Sequence, residues 1–154
     1  MALRAESAMN NLVLNEVRNE IESLHQFFCG WFNGQLPEEE FDSQFLSRFS
    51  PDLVFIPPAG NLLGLDDLSA SVRAGYASNH DFRIQIRNVT VQHEFDGHII
   101  ATYEEWQRNA LASKPTNNGR IASVVFTTGQ SLKWLHIHET WLPEEIMDAD
   151  SYDF

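Results

Sequence analysis

Basic residues are scarce in this chain. Its 154 residues include 10 Lys and Arg against 22 Asp and Glu, which gives a formal net charge of -12 at neutral pH. The phosphate backbone of a nucleic acid and an anionic membrane surface would both repel a chain of this charge. We therefore expect neither nucleic acid nor a membrane among its partners.

Cysteine is nearly absent as well, since Cys29 is the only one. An intrachain disulfide is thus impossible, which fits a reducing compartment. No stretch approaches the roughly 18 consecutive apolar residues that span a bilayer, and the first ten residues lack the apolar run of a signal peptide. These absences predict a cytoplasmic protein. Cys29 lies within a helical apolar pattern, which favours a buried, inert thiol over a nucleophile.

Aromatic residues, in contrast, are plentiful, with 11 Phe, 4 Trp and 3 Tyr in a chain that is 43% hydrophobic. This length and composition predict a single domain over residues 1–154. Large rings fill cores and also line apolar cavities. We expect the packed core to span about residues 12–142 and the acidic tail, residues 143–154, to fray.

Apolar residues at steps of three and four predict helices in the first half of the chain. The longest runs over about residues 8–33. A second helix begins after Pro37, and a third begins at Asp66 or Asp67 and ends near Asn79.

Alternating apolar and polar residues predict strands, most of them in the second half. The predicted strands are residues 51–56, a stub at 61–64, 82 to 91 or 93, 98–108, 121–128 and 133–141. Three helices and a small hairpin followed by four long antiparallel strands predict the α+β fold class.

The last predicted strand is the most informative part of the sequence. Because side chains alternate along a strand, Trp134, His136 and His138 share one face. The other face carries Leu135, Ile137, Glu139 and Trp141 and is mostly apolar. This pattern predicts a strand buried on both sides, with a polar cluster on one of them.

His136 and His138 could share a metal ion, because residues at i and i+2 lie about 6.5–7 Å apart on one face of a strand. Zinc would require a third ligand, for which Glu105 or His98 could be proposed. No well-spaced third ligand is visible, so two polar residues in a pocket wall are the preferred interpretation. We expect no metal and no cofactor.

Two segments carry a resemblance to a known family. One is Pro51–Gly60 followed by Gly64-Leu65-Asp66-Asp67-Leu68, and the other is the closing strand with Trp134 and His138. Together with the element order, they resemble the nuclear transport factor 2-like (NTF2-like) superfamily over about residues 12–142. Thr140 stands where that family often has a second histidine. The superfamily includes SnoaL-like polyketide cyclases, ketosteroid isomerases and the association domain of calcium/calmodulin-dependent kinase.

The resemblance implies a cystatin-like cone, in which three N-terminal helices pack on a strongly curved, mostly antiparallel sheet. It implies a ligand pocket on the concave face and a homodimer through the convex face. The implied ligand-binding residues are Trp134, His136, His138, Tyr103 and Glu105, with Ser123, Val125 and Thr127 on the same inner side. Trp31, Phe28 and Phe55 are further candidates for ligand binding in an aromatic cavity, and packing in the core is the preferred interpretation for any single ring. The implied dimer interface contains Trp106, Phe126, Ile137 and Trp141.

Three functions remain open from the sequence. The first is binding of a small apolar or aromatic molecule in the cone. The second is a cyclase or isomerase that uses His138 as general base, assisted by Glu105 or Tyr103. The third is an association module with a vestigial pocket. Catalysis of the ketosteroid isomerase type is disfavoured, because residues 54–58, directly before the turn, include no acidic residue.

Overall fold

A computed structural model of the protein describes the backbone of residues 2–154 and the side chains of residues 10–154. The helices are α1 (Ala2–Phe32), α2 (Phe41–Gln44), α3 (Leu65–Ala74) and α4 (Glu144–Ala149), with 3₁₀ turns at Glu38–Glu40 and Leu46–Arg48. Within this described part, no helix is long and apolar enough to cross a membrane.

Across residues 2–154, six strands form one sheet. They are β1 (Phe49–Ile56), β2 (Leu63–Gly64), β3 (Arg83–Phe95), β4 (His98–Arg108), β5 (Asn118–Thr127) and β6 (Lys133–Trp141). Their order in the sheet is β2-β1-β6-β5-β4-β3. The β1 and β6 strands run parallel, and every other neighbouring pair is antiparallel. The predicted α+β class, with helices first and a curved, mostly antiparallel sheet after them, is confirmed.

The core lies between helix α1 and the concave face of the sheet. One face of α1 is apolar and buries Val17, Ile21 and Leu24, as the spacing of three and four predicts. Strands β5 and β6 contribute Phe126 and Trp134, whose ring centroids lie 4.6 Å apart. This ring contact thus joins neighbouring strands on the side of the sheet that faces α1.

The C-terminal tail, which its acidic composition predicted to fray, packs against the sheet. Asp150 accepts hydrogen bonds from the Arg87 guanidinium, the shorter at 2.7 Å. The Tyr152 ring then packs edge-on against Trp106, with centroids 5.7 Å apart. Trp106 is only 2% exposed. This ion pair and this ring contact attach the tail to strands β3 and β4.

A β-bulge in β6 decides which side chains face the cone. Trp134 pairs with Phe126 of β5, and His136 pairs with the adjacent Val125, so Leu135 between them has no partner in the ladder. One extra residue reverses the alternation beyond it. Trp134 therefore remains in the core while His136 and the residues at every second position after it turn to the convex face.

The alternation in β5 also differs from the expectation. Ala122 pairs with Tyr103, and Val124 pairs with Ala101. Directly paired residues of antiparallel strands point to the same side of a sheet, and Tyr103 lines the cone. The inward residues of β5 are therefore Ala122, Val124 and Phe126. Ser123, Val125 and Thr127, which were expected inside, lie on the convex face.

Candidate functional site

A cavity of about 410 Å³ lies between helix α1, helix α3 and the concave face of the sheet. Its wall is mainly apolar and aromatic. The apolar lining includes Phe28, Phe32, Phe55, Phe82, Ile84 and Ile137. A smaller polar cluster, formed by His25, Tyr103, Glu105, Gln107, Arg120 and Glu139, lies along one side. We call this set the polar cluster.

The cone opens beside the loop between β4 and β5, residues 109–117. A second cavity, of about 540 Å³, is lined by Ala110, Leu111 and Ala112 of this loop. It shares Ala112 and Arg120 with the first cavity. The two spaces are therefore neighbours, and Arg120 contributes to the wall of both.

His25 and Glu105 form the buried ion pair of the polar cluster. Their exposed fractions are 4% and 6%. His25 Nδ1 lies 2.6 Å from the carbonyl oxygen of Ile21, and Nε2 lies 2.8 Å from Glu105 Oε1. A carbonyl oxygen and a carboxylate only accept hydrogen bonds, so both ring nitrogens carry protons. His25 is therefore an imidazolium whose nitrogens are both engaged.

Opposing effects set the pKa values of this pair. Burial alone would lower the pKa of His25, but the charge and hydrogen bond of Glu105, together with the bond to Ile21, raise it. Burial alone would raise the pKa of Glu105. The charge and hydrogen bond of His25, the charge of Arg120 and the hydrogen bond from Gln107 instead lower it to about 2. The pair therefore stays charged near neutral pH.

Glu139 is the carboxyl of the cluster that titrates near neutral pH. Burial, and then the negative charge of Glu105, raise the pKa of Glu139 to about 7, and the Arg120 guanidinium only partly offsets them. Arg120 Nη1 lies 3.4 Å from Glu139 Oε1, which is a long contact. Glu139 can therefore both accept and release a proton at physiological pH.

Tyr103 adds a hydroxyl to the wall of the cavity. Burial, and then the charges of Glu105 and Glu139, raise the pKa of Tyr103 well above its ordinary value. The hydroxyl thus stays protonated, and it can donate a hydrogen bond to an oxygen of a bound molecule.

Of the residues predicted from the sequence to bind a ligand, four line the cavity: Phe28, Phe55, Tyr103 and Glu105. Two others lie in the core. The indole of Trp31 donates to the carbonyl oxygen of Val72 at 2.7 Å, and that of Trp134 donates to Glu20 at 3.0 Å. Neither side chain reaches the cavity.

The expected positions of the two strand histidines were wrong. The bulge at Leu135 turns His136 and His138 to the convex face, where His138 is exposed. Glu139 occupies the inner side in their place. His138 therefore cannot act with Glu105 or Tyr103 on a molecule in the cone. No group of three or more His, Cys, Asp or Glu in the described part of the chain could hold a metal ion.

Most of the expected dimer residues are also placed differently. Phe126 and Ile137 point into the core and the cavity. Trp106 does face outward but is covered by the tail. Trp141 lies against Arg120, whose guanidinium carbon is 4.7 Å from the centre of the indole ring. The convex face instead presents Ile121, which is 43% exposed.

Sequence reasoning missed His25, Gln107, Arg120 and Glu139. A signal existed for His25, because it follows Leu24 directly on the apolar stripe of α1. A polar side chain there needs a buried partner. Glu139 had a similar signal, since it is a carboxylate among Leu135, Ile137 and Trp141. Arg120 had none, because residues 118–120 look like a turn.

The chain adopts the NTF2-like, cystatin-like fold. A structure of an NTF2-like protein of unknown function from Pseudomonas aeruginosa is 22% identical to it. That structure has a TM-score of 0.73 and covers 83% of this chain and 99% of its own. A protein of the NTF2-like family from Streptomyces avermitilis, named provisionally as a dehydratase, is 13% identical with a TM-score of 0.64. It covers 86% of this chain and 98% of its own.

The association domain of calcium/calmodulin-dependent kinase II from C. elegans has the same fold. Its TM-score is 0.60 at 10% identity, over 88% of this chain and 98% of that domain. Among curated proteins, one named "Probable sucrose-phosphatase 2" from Arabidopsis thaliana is 23% identical over 138 residues. These are 86% of this chain, but they span only 32% of the length of that protein. No family model matches the chain.

Proposed function

We propose that the protein binds a small, mostly apolar molecule in the cone. The observation that carries this proposal is the cavity of about 410 Å³ with aromatic walls and a polar cluster on one side. Its volume falls in the range of roughly 300–1,000 Å³ that is usual for ligand sites. Walls that are mainly apolar and carry only a few polar groups are also typical of such sites. The open side at the β4–β5 loop supplies a route for the ligand.

A neutral fluorophore, N-phenyl-1-naphthylamine, tests this proposal directly. We expect its emission to rise on binding to the protein. Ile137→Trp should abolish the rise because the indole fills the cavity, whereas Ile121→Trp, the same change on the convex face, should not. Ala112→Trp at the exposed mouth is a second blocking variant that leaves the core intact. Equal binding by all four proteins would contradict the proposal.

A second candidate function is cofactor-independent acid–base catalysis, of the isomerase, cyclase or dehydratase type. The observation that favours it is Glu139, whose pKa is raised to about 7 beside an apolar cavity. In an isomerisation, the Glu139 carboxylate would take a proton from one atom of the substrate and return it to another. Tyr103 would donate a hydrogen bond to the substrate oxygen on which negative charge develops.

Exchange of substrate protons for deuterium tests the catalytic proposal without knowledge of the product. Carbonyl compounds with acidic C–H bonds are incubated with the protein in D₂O and followed by NMR. We expect exchange with the wild type and with His138→Ala, and a loss of at least a hundredfold with Glu139→Gln. If exchange persisted in Glu139→Gln but was lost in His138→Ala, His138 would be the general base and this proposal would be wrong.

We also propose a homodimer through the convex face. Ile121 is exposed there, Val54 and Val125 are half-buried, and the paired strands place Val125 beside His136. A partly apolar sheet face of this kind is commonly covered by a second copy. Sedimentation should give a dimer for the wild type and a monomer for Ile121→Asp. A wild-type monomer at micromolar concentration would contradict the proposal.

A further inference from the structure

The Arg120 guanidinium is incompletely hydrogen-bonded by the protein. The residue is only 9% exposed, and it lines both cavities. Its contacts to Glu139 and Asn118 are long, at 3.4 and 3.3 Å. Among the described residues, its enclosed Nε has no partner. Each terminal nitrogen carries two N–H groups and makes a single long contact, so these two nitrogens have donors left for a bound molecule.

The carboxylates of the polar cluster do not neutralise Arg120 in every protonation state of the cluster. Glu105 already accepts hydrogen bonds from His25 and Gln107. Glu139 is the other carboxylate on the cavity wall, and it is the one that titrates near neutral pH. When Glu139 is protonated, Arg120 is a cation without a matching anion in an apolar enclosure. Such a cation strongly favours the arrival of one negative charge.

We propose that the ligand of the cone is a monocarboxylic acid with an apolar body, whose carboxylate binds Arg120 while Glu139 takes up a proton. This inference rests on the proposed binding function and names its ligand class. The flat fork of a guanidinium matches the two oxygens of a carboxylate. The Trp141 ring centre lies 4.7 Å from the guanidinium carbon, and a cation–π contact of this kind uses none of the N–H donors. The phenylalanine walls receive the apolar body.

The charges of the polar cluster favour a ligand that carries a single negative charge. Glu139 faces Glu105 and Tyr103 from β4, Arg120 from β5 and His25 from α1. With the ligand bound, His25 pairs with Glu105, Arg120 pairs with the ligand, and Glu139 is neutral. A dianion such as a phosphate monoester would add a charge that no further cation in the polar cluster neutralises. Above neutral pH, the binding of each carboxylate therefore consumes one proton from solvent.

Matched pairs of acids and amides test this inference with the wild-type protein. Octanoate and cinnamate are compared with octanamide and cinnamamide by calorimetry at pH 6 and pH 8.5. We expect the acids to bind at least tenfold more tightly at pH 6 than at pH 8.5, because one proton is linked to binding. The amides should bind more weakly than the acids at pH 6 and show no dependence on pH. Buffers of different ionisation enthalpy should report about one proton taken up per acid at pH 8.5.

Two variants separate the roles of the charged groups. Arg120→Gln should remove the preference for acids and keep the binding of amides. Glu139→Gln should bind acids equally well at both pH values. Arg73→Gln, a change at an exposed arginine of α3, is the matched control. The carboxylate inference alone would be overturned if amides bound the wild type as tightly as acids do. It would also be overturned if acids bound Arg120→Gln as tightly as the wild type. Failure of acids, amides and N-phenyl-1-naphthylamine alike would overturn the binding function as well.

Discussion

His25 and Glu105 come from positions 80 residues apart in the chain, and their side chains meet at 2.8 Å inside the protein. The contact joins helix α1 to strand β4 beside the cavity. Because the other ring nitrogen of His25 is bonded to Ile21, this histidine holds Glu105 in place and keeps it ionised. His25 thus fixes the position of Glu105, and Glu139 is the carboxyl group of the polar cluster that titrates near neutral pH.

Removal of this pairing should destabilise the fold. His25→Ala leaves the Glu105 carboxylate buried without its closest cation, which typically costs about 3–5 kcal/mol. Urea denaturation at pH 6.5 measures the loss in the free energy of unfolding. His138→Ala, which truncates an exposed histidine, is the control and should change that free energy by less than about 0.5 kcal/mol. Similar losses in the two variants would contradict the assignment.

Stability should fall as the pH rises from 5 to 8. The pKa of Glu139 is raised from 4.5 to about 7 in the folded protein, so the folded state binds more protons than the unfolded state over this range. His25, whose pKa is also raised, contributes stability at low pH that is lost as the pH rises through its folded value. Both effects have the same sign.

Glu139→Gln isolates the contribution of the carboxyl group. At about 1.4 kcal/mol per pKa unit, the wild type should lose on the order of 2 kcal/mol more than this variant between pH 5 and pH 8. Urea midpoints at the two pH values give the difference. An identical pH dependence in the two proteins would show that Glu139 titrates normally.

The order of elements was predictable because it follows from local pattern. The apolar stripe of α1 and the alternation that begins at Phe82 are properties of neighbouring residues, and they set element types. Tyr103 and Glu105 were found inside because β4 alternates without interruption. Local pattern did not reveal the contacts that Asp150 and Tyr152 make with β3 and β4, because composition does not encode them.

The polar cluster was less predictable because its members come from three separate elements. His25 lies on a helix, and Arg120 and Glu139 lie on two strands whose inward faces depend on pairing. The bulge at Leu135 arises from the pairing of β6 with β5, which the sequence of β6 alone does not encode. The prediction for His136 and His138 therefore failed, although the strand itself was predicted correctly.

Gly119 should be intolerant of a side chain. A methyl group there would lie 2.9 Å from Cε3 of Trp106 and 3.0 Å from Cδ1 of Leu142. Because Trp106 is held under the tail, Gly119→Ala should cost about 1–3 kcal/mol through overpacking. Gly64→Ala is the control, since its nearest atom would be 3.9 Å away. Thermal unfolding of both variants checks this, and equal melting temperatures would contradict it.

Removal of residues 150–154 should uncover Trp106. The tail supplies the Tyr152 ring and the Asp150 carboxylate that pairs with Arg87, so truncation exposes the indole to water. Acrylamide quenching of tryptophan fluorescence should increase. The same truncation in a Trp106→Phe background should leave quenching unchanged, because the other three tryptophans lie elsewhere. An increase of equal size in that background would contradict the prediction.

The bulge at Leu135 has a consequence for how residues are matched between proteins of this fold. In a regular strand, the spacing Trp-x-His-x-His puts the tryptophan and both histidines on one face. Here the same letters put Trp134 inside and His136 and His138 outside, while Glu139 enters the cone. A homologue with identical letters and no bulge would therefore have imidazoles where this protein has a carboxyl group. Alignment of the letters alone would therefore match side chains that lie on opposite faces of the two sheets.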